Sequence, residues 1–141
     1  MNTQYKTDSN GLNYQIVHDF KIDGQVYDTY KQKLIEINGK MYGVGVPFNK
    51  SFGSDTGFVI FSYNLTTKQY KMEYRSTAIY GRTPLSSLTK TSAGKYYLTT
   101  AYGGTNNGGC LIEYNPTNNT AVVKANFSDG KSSKLPYGNI V

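Results

Sequence analysis

Apolar and polar residues alternate along this chain in short bursts, and almost nowhere do they follow a helical period. "KYYLTT" at Lys95 to Thr100, "CLIEYN" at Cys110 to Asn115 and "TAVVKANF" at Thr120 to Phe127 are each bounded by Gly, Asn or Pro, as strands should be. No amphipathic helical stripe survives over a window of about eleven residues. The intervening turns carry hairpin chemistry. "NG" at Asn38-Gly39 suits a type I′ turn, "SAG" at Ser92 to Gly94 a three-residue loop, and "NPTNN" at Asn115 to Asn119 a longer one. The pattern therefore predicts an all-β chain built from antiparallel meanders.

The meander is written twice. "LIEINGKMYGVG", Leu34 to Gly45, aligns with "LTKTSAGKYYLTT", Leu88 to Thr100, with one residue inserted in the second turn. "GFVIFSYNLTTKQYKMEY", Gly57 to Tyr74, lies over "GGCLIEYNPTNNTAVVKA", Gly108 to Ala125, without a gap. A further closing strand opens the chain, where "NYQIVHDF" at Asn13 to Phe20 is similar to Thr120 to Phe127. A further opening strand ends it, where "LPYGNIV" at Leu135 to Val141 is similar to "TPLSSLT" at Thr83 to Thr89. In the second copy the expected strands are about Leu85 to Lys90, Lys95 to Thr100, Cys110 to Tyr114 and Ala121 to Phe127. A helix-free, four-stranded unit recurring at about 50 residues is the signature of a β-propeller blade. The chain then divides into the end of one blade (1–27), two whole blades (28–77 and 78–129) and the start of another (130–141). Because both ends cut a blade, the expectation is a homo-oligomer that closes a ring by self-association, or a portion of a longer propeller.

"GRTPLSSLTKTSAGKYYLTTAYGGTNNGGCLIEYN", Gly81 to Asn115, and "VHDF", Val17 to Phe20, carry a family likeness. Their order of glycine, proline, Leu-containing strand, Tyr-x-Thr-Thr strand, paired-glycine loop and aliphatic strand resembles the bacterial GloVer tandem repeat of choice-of-anchor surface proteins. Leu98 stands where that pattern usually has glycine, and the first copy's loop, Val46 to Thr56, lacks the paired glycines. The resemblance implies a propeller and an extracellular or cell-surface setting. It supplies neither a ligand nor a catalytic residue.

Composition narrows the function. Fourteen tyrosines and fifteen glycines stand in 141 residues, with one cysteine and no tryptophan. A lone Cys110 excludes an internal disulfide framework and a cysteine-rich zinc site. The net charge of +6 is spread over Lys31, Lys33, Lys68, Lys71, Arg75, Lys90, Lys131 and Lys134 with no basic run. That reads as a solvated surface, and nucleic acid is not an expected partner. No stretch reaches the roughly 18 apolar residues of a membrane span, and "MNTQYKTDSNG" has no signal-peptide core.

Chemistry-bearing motifs are sparse. "AYGGTNNGGC", Ala101 to Cys110, is glycine-rich but lacks the lysine and the following helix of a phosphate loop. Gly103, Gly104, Gly108 and Gly109 are expected to supply positive φ and close approach in a strand connection. His18 and Asp19 point to opposite faces of a strand and form no catalytic pair with each other. Cys110 aligns with Val59, which argues for a small buried apolar role. "DSNG", Asp8 to Gly11, and "GSDTG", Gly53 to Gly57, lack the ligand spacing of a calcium loop, so neither metal nor cofactor is expected.

Strand tyrosines are assigned to packing. The connection residues Tyr80, Tyr102, Asn106, Asn107 and Tyr137 are the candidate ligand contacts, because aromatic faces beside amides suit a sugar ring or a peptide side chain. The reading is a non-enzymatic binding or assembly module whose partner is a carbohydrate or a protein. The alternatives are a propeller-based glycan hydrolase or lyase using rim carboxylates, and spacer blades without a ligand.

Overall fold

The structure is a computed structural model that describes residues 3–6, 10, 15–19, 21–22, 25–28, 32–47, 56–127 and 140. The strands in chain order are β1 (Thr3–Lys6), β2 (Gln15–Asp19), β3 (Lys21–Ile22), β4 (Gln25–Asp28), β5 (Ile35–Ile37), β6 (Lys40–Pro47), β7 (Thr56–Asn64) and β8 (Tyr70–Thr77). A 3₁₀ turn at Ala78–Tyr80 leads into β9 (Arg82–Pro84), β10 (Thr89–Lys90), β11 (Tyr96–Tyr102), β12 (Cys110–Asn115) and β13 (Thr120–Asn126). All pairings are antiparallel. β1 pairs β2, the first large sheet runs β3-β4-β6-β7-β8 with β5 also on β6, and the second runs β10-β11-β12-β13 with β9 also on β11. The fold is all-β, and the described residues close neither a barrel nor a propeller ring.

Each large sheet is a four-position meander whose first position is broken. In the second sheet, β9 pairs the far half of β11 and β10 its near half. The sequence predicts one strand from Leu85 to Lys90, but only Thr89–Lys90 of it is strand, with β9 lying just before the predicted range. At the break Ser86 Oγ accepts from Thr99 N of β11 at 2.8 Å, while Ser87 Oγ accepts from Lys33 N of the other repeat at 2.7 Å. The Ser86 side chain thus satisfies a β11 donor that a ladder would otherwise take. β5 and β4 divide the edge of β6 in the same way.

Turns follow the sequence closely. Asn38 and Gly39 both have positive φ, 50° and 77°, as a type I′ turn requires. Lys68 and Asn119, aligned in the two copies, share positive φ of 58° and 55°. Asn64 Oδ1 and Asn115 Oδ1 accept from Thr66 N and Thr117 N, both at 2.9 Å, so the two closing hairpins use one Asx turn. Even the bulges correspond, lying at Ile60/Phe61 and Leu111/Ile112.

The core lies between the sheets. Tyr42, Val44, Phe58 and Ile60 of the first sheet pack against Leu88, Leu98, Cys110, Ile112 and Tyr114 of the second. The repeat alignment makes this arrangement informative. Ile60 corresponds to Leu111, yet the second sheet offers the core Ile112, whose counterpart is Phe61. Phe61 sits with Val59 in a separate cluster on the opposite face of the first sheet. Opposite faces of equivalent repeats therefore meet, and the stack is head to tail. A same-face sandwich would have used Leu111.

A buried carboxylate ties the two repeats at their hairpin end. The Glu73 side chain is only 2% exposed and accepts from Ser62 Oγ at 2.7 Å, Lys71 Nζ at 2.8 Å and Asn119 Nδ2 at 3.0 Å. Asn119 Oδ1 in turn accepts from Tyr114 OH at 2.8 Å. The outer face of the second sheet is polar instead, with Tyr97 OH donating to Glu113 at 2.7 Å and Lys95 and Lys124 alongside.

Candidate functional site

The 3₁₀ turn and the connection from Gly103 to Gly109 meet at the end of the sheets opposite the hairpins. Strand direction forces this, since β8 and β11 both run toward that end. Ser76 anchors the approach: its Oγ accepts from Phe58 N at 2.7 Å and donates to Gly81 O at 3.3 Å. Gly81, at φ 136°, lies against the Thr100 side chain, where a Cβ would have no room. The turn is thereby pressed onto β11, leaving Ile79 and Tyr80 outward at 76% and 53% exposure.

The backbone donors of the glycine-rich loop are taken by acceptors within the loop, on the 3₁₀ turn and on β13. Gly103 N donates to Asn107 Oδ1 (2.9 Å), Gly104 N to Ile79 O (2.9 Å), Thr105 N to Asn126 Oδ1 (3.1 Å), and Gly109 N to Gly103 O (3.0 Å). A phosphate cradle needs such donors free and a helix behind them, and here β12 follows. Three of the four expected glycines, Gly103, Gly104 and Gly109, have positive φ. Gly108 differs, its role being close approach to the Phe127 carbonyl.

The candidate residues take different places. Tyr80 lines a shallow groove of about 340 Å³ with Ile79, Gly104, Thr105, Val123 and Asn126. Tyr102 is half-buried beneath the Arg82 guanidinium, 5.9 Å from its ring centre. Asn107 is a loop organiser, since its Oδ1 accepts from both Arg82 Nη2 (2.6 Å) and Gly103 N. Asn106 is exposed at the loop tip, and Tyr137 lies outside the described residues. Sequence reasoning missed Ile79, Thr105, Val123 and Asn126. Register could have found Asn126, because β13 pairs it with Cys110 at the loop's exit.

Other polar groups are committed elsewhere. Burial pushes the Glu73 carboxyl up, but hydrogen bonds from Lys71 and Ser62 outweigh it and hold the group below the usual carboxylate range. The hydrogen bond from Tyr97 holds Glu113 low as well. Glu36 accepts from Gly39 N within its own turn. Cys110 is fully buried, and desolvation raises its thiol pKa, the opposite of an activated nucleophile. The described residues of His18, Asp19 and Asp28 are backbone positions in strands, and Asp8, Asp23, Asp55 and Asp129 lie outside the described residues. Among the described residues no cluster of His, Cys, Asp or Glu could hold a metal, and no helix is long and apolar enough to cross a membrane.

The chain matches no family model, no curated protein and no solved structure.

Proposed function

We propose that this chain is a non-enzymatic binding module of propeller-repeat type, displayed at the cell surface, that takes a carbohydrate or protein partner on its loop end. The observation that carries the reading is the groove beside Tyr80: an exposed aromatic ring on a turn pinned by the Gly104 to Ile79 hydrogen bond, with amide and hydroxyl groups opposite. Rigid placement of an aromatic contact lowers the entropy lost on binding. Head-to-tail stacking is compatible with the propeller part of the reading, because a heterologous interface closes into a ring when the rotation between units allows it and otherwise leaves an open stack. On this reading a ring would close by self-association of copies of the chain.

A hydrolase reading requires two carboxylates free to act on one bond. Both Glu73 oxygens are taken by structural partners, and Glu113 accepts from Tyr97 OH and pairs with Lys95 and Lys124 through Oε2. The test is a broad glycan array probed with the wild-type chain and with Tyr80→Ala. Retention of one glycan class, lost in the variant, supports the module. Shortening of any arrayed glycan contradicts it, and retention of none removes the carbohydrate arm.

A further inference from the structure

The groove beside Tyr80 combines three chemistries that one ligand class shares. Tyr80, 53% exposed, lines the groove with its aromatic side chain, and Ile79 and Val123 line it with aliphatic ones. Asn126 contributes the third. Its Oδ1 accepts from Thr105 N at 3.1 Å, which fixes the amide orientation and leaves the Nδ2 hydrogens as the donating end. Gly104 keeps this arrangement tight. At φ 76° it lies where a Cβ would meet Asn126 Oδ1 and Cys110 Sγ, so the floor of the groove is backbone.

A flat ring, an aliphatic wall and an oriented amide donor match a pyranose that carries an acetamido group. The sugar's CH face stacks on tyrosine, the acetyl methyl meets the aliphatic wall, and the acetamido carbonyl accepts from an amide N–H. An extended peptide is the poorer fit, because it pairs through main-chain groups. The loop's N–H groups at Gly103, Gly104, Thr105 and Gly109 already have internal acceptors. Volume agrees, since 340 Å³ lies at the small end of the about 300–1,000 Å³ range of ligand pockets. We infer that the groove formed by Ile79, Tyr80, Thr105, Val123 and Asn126 is a binding site for N-acetylhexosamine units of a glycan.

This inference rests on the binding-module reading and names the ligand class of the same rim. The test is isothermal titration of the full chain with N,N′-diacetylchitobiose and with cellobiose, which has the same linkage without the acetamido groups. The expected result is binding of the acetylated disaccharide, with cellobiose weaker by roughly tenfold. Tyr80→Ala should weaken chitobiose by roughly tenfold through the lost ring face. Asn126→Asp keeps the acceptor for Thr105 N, removes the Nδ2 donors and should weaken it comparably. Equal affinities for the two sugars, unchanged affinity in both variants, or no binding of either sugar at millimolar concentration would each overturn the inference. Array retention of a glycan without acetamido groups would then show that the module reading stands while this assignment fails.

Discussion

At the scale of single residues, Glu73 is the most consequential polar side chain described. Its pKa is lowered in the folded chain, so its contribution to stability is present above the unfolded carboxylate value and is lost as pH falls through the folded one. Thermal melts across the acid range should show that loss in the wild type and a flatter acid limb in Glu73→Ala. At neutral pH the same variant should lose about 3 kcal/mol, because Ser62, Lys71 and Asn119 lose their shared acceptor. Cys110 makes a second residue-level prediction. A fully buried thiol with a raised pKa should resist a thiol reagent at pH 8 until the chain unfolds, and rapid labelling of the native chain would contradict the burial. The small buried role was legible in the sequence, where Cys110 aligns with Val59. The Glu73 clamp was not, since its partner Asn119 belongs to the other repeat and only packing brings them together.

At the scale of elements, strand alternation and turn chemistry foretold both meanders, and Asn38-Gly39 and Asn115 to Asn119 form the hairpins that their residues demand. Two features escaped. At the break between β9 and β10 the Ser86 hydroxyl stands in for a ladder acceptor of Thr99 N and the Ser87 hydroxyl reaches Lys33 N of the other repeat, tertiary contacts that propensity does not encode. Which face of each strand meets the core also lay beyond the pattern, because Leu111 and Ile112 are equally apolar. Mutation separates them. Ile112→Ala should cost about 2–5 kcal/mol of unfolding free energy by denaturant titration, and Leu111→Ala distinctly less, if the sheets stack head to tail. Equal losses would mean a different face is buried. Two glycines with the same φ of 76° offer a parallel comparison. Gly94→Ala opens onto empty space and should cost about 1 kcal/mol, whereas Gly104→Ala meets Asn126 and Cys110 and should cost more while weakening the groove.

At the scale of the whole molecule, a repeat that buries one face against its neighbour's opposite face leaves two unlike ends. One end, around Val59 and Phe61, is buried. The other carries Tyr97, Glu113, Lys95 and Lys124 with Val122 exposed, a polar surface of the kind that finishes a stack of repeats. Ring closure onto this face would have to supply partners for those charges, so light scattering of the 15.7 kDa chain decides whether copies do so. The candidate site was partly legible at this scale. Tyr80 stood out as an aromatic in a connection, while Asn126 and Val123 joined it only because antiparallel register carries the last strand to the same end. Amide chemical-shift mapping of the chain with a glycan retained on the array tests that convergence on one rim. Binding at this rim should perturb amides at 78–82, 102–109 and 123–126 with the glycan intact. Shifts centred on the hairpin end at 64–69 and 115–119, or a shortened glycan, would contradict it.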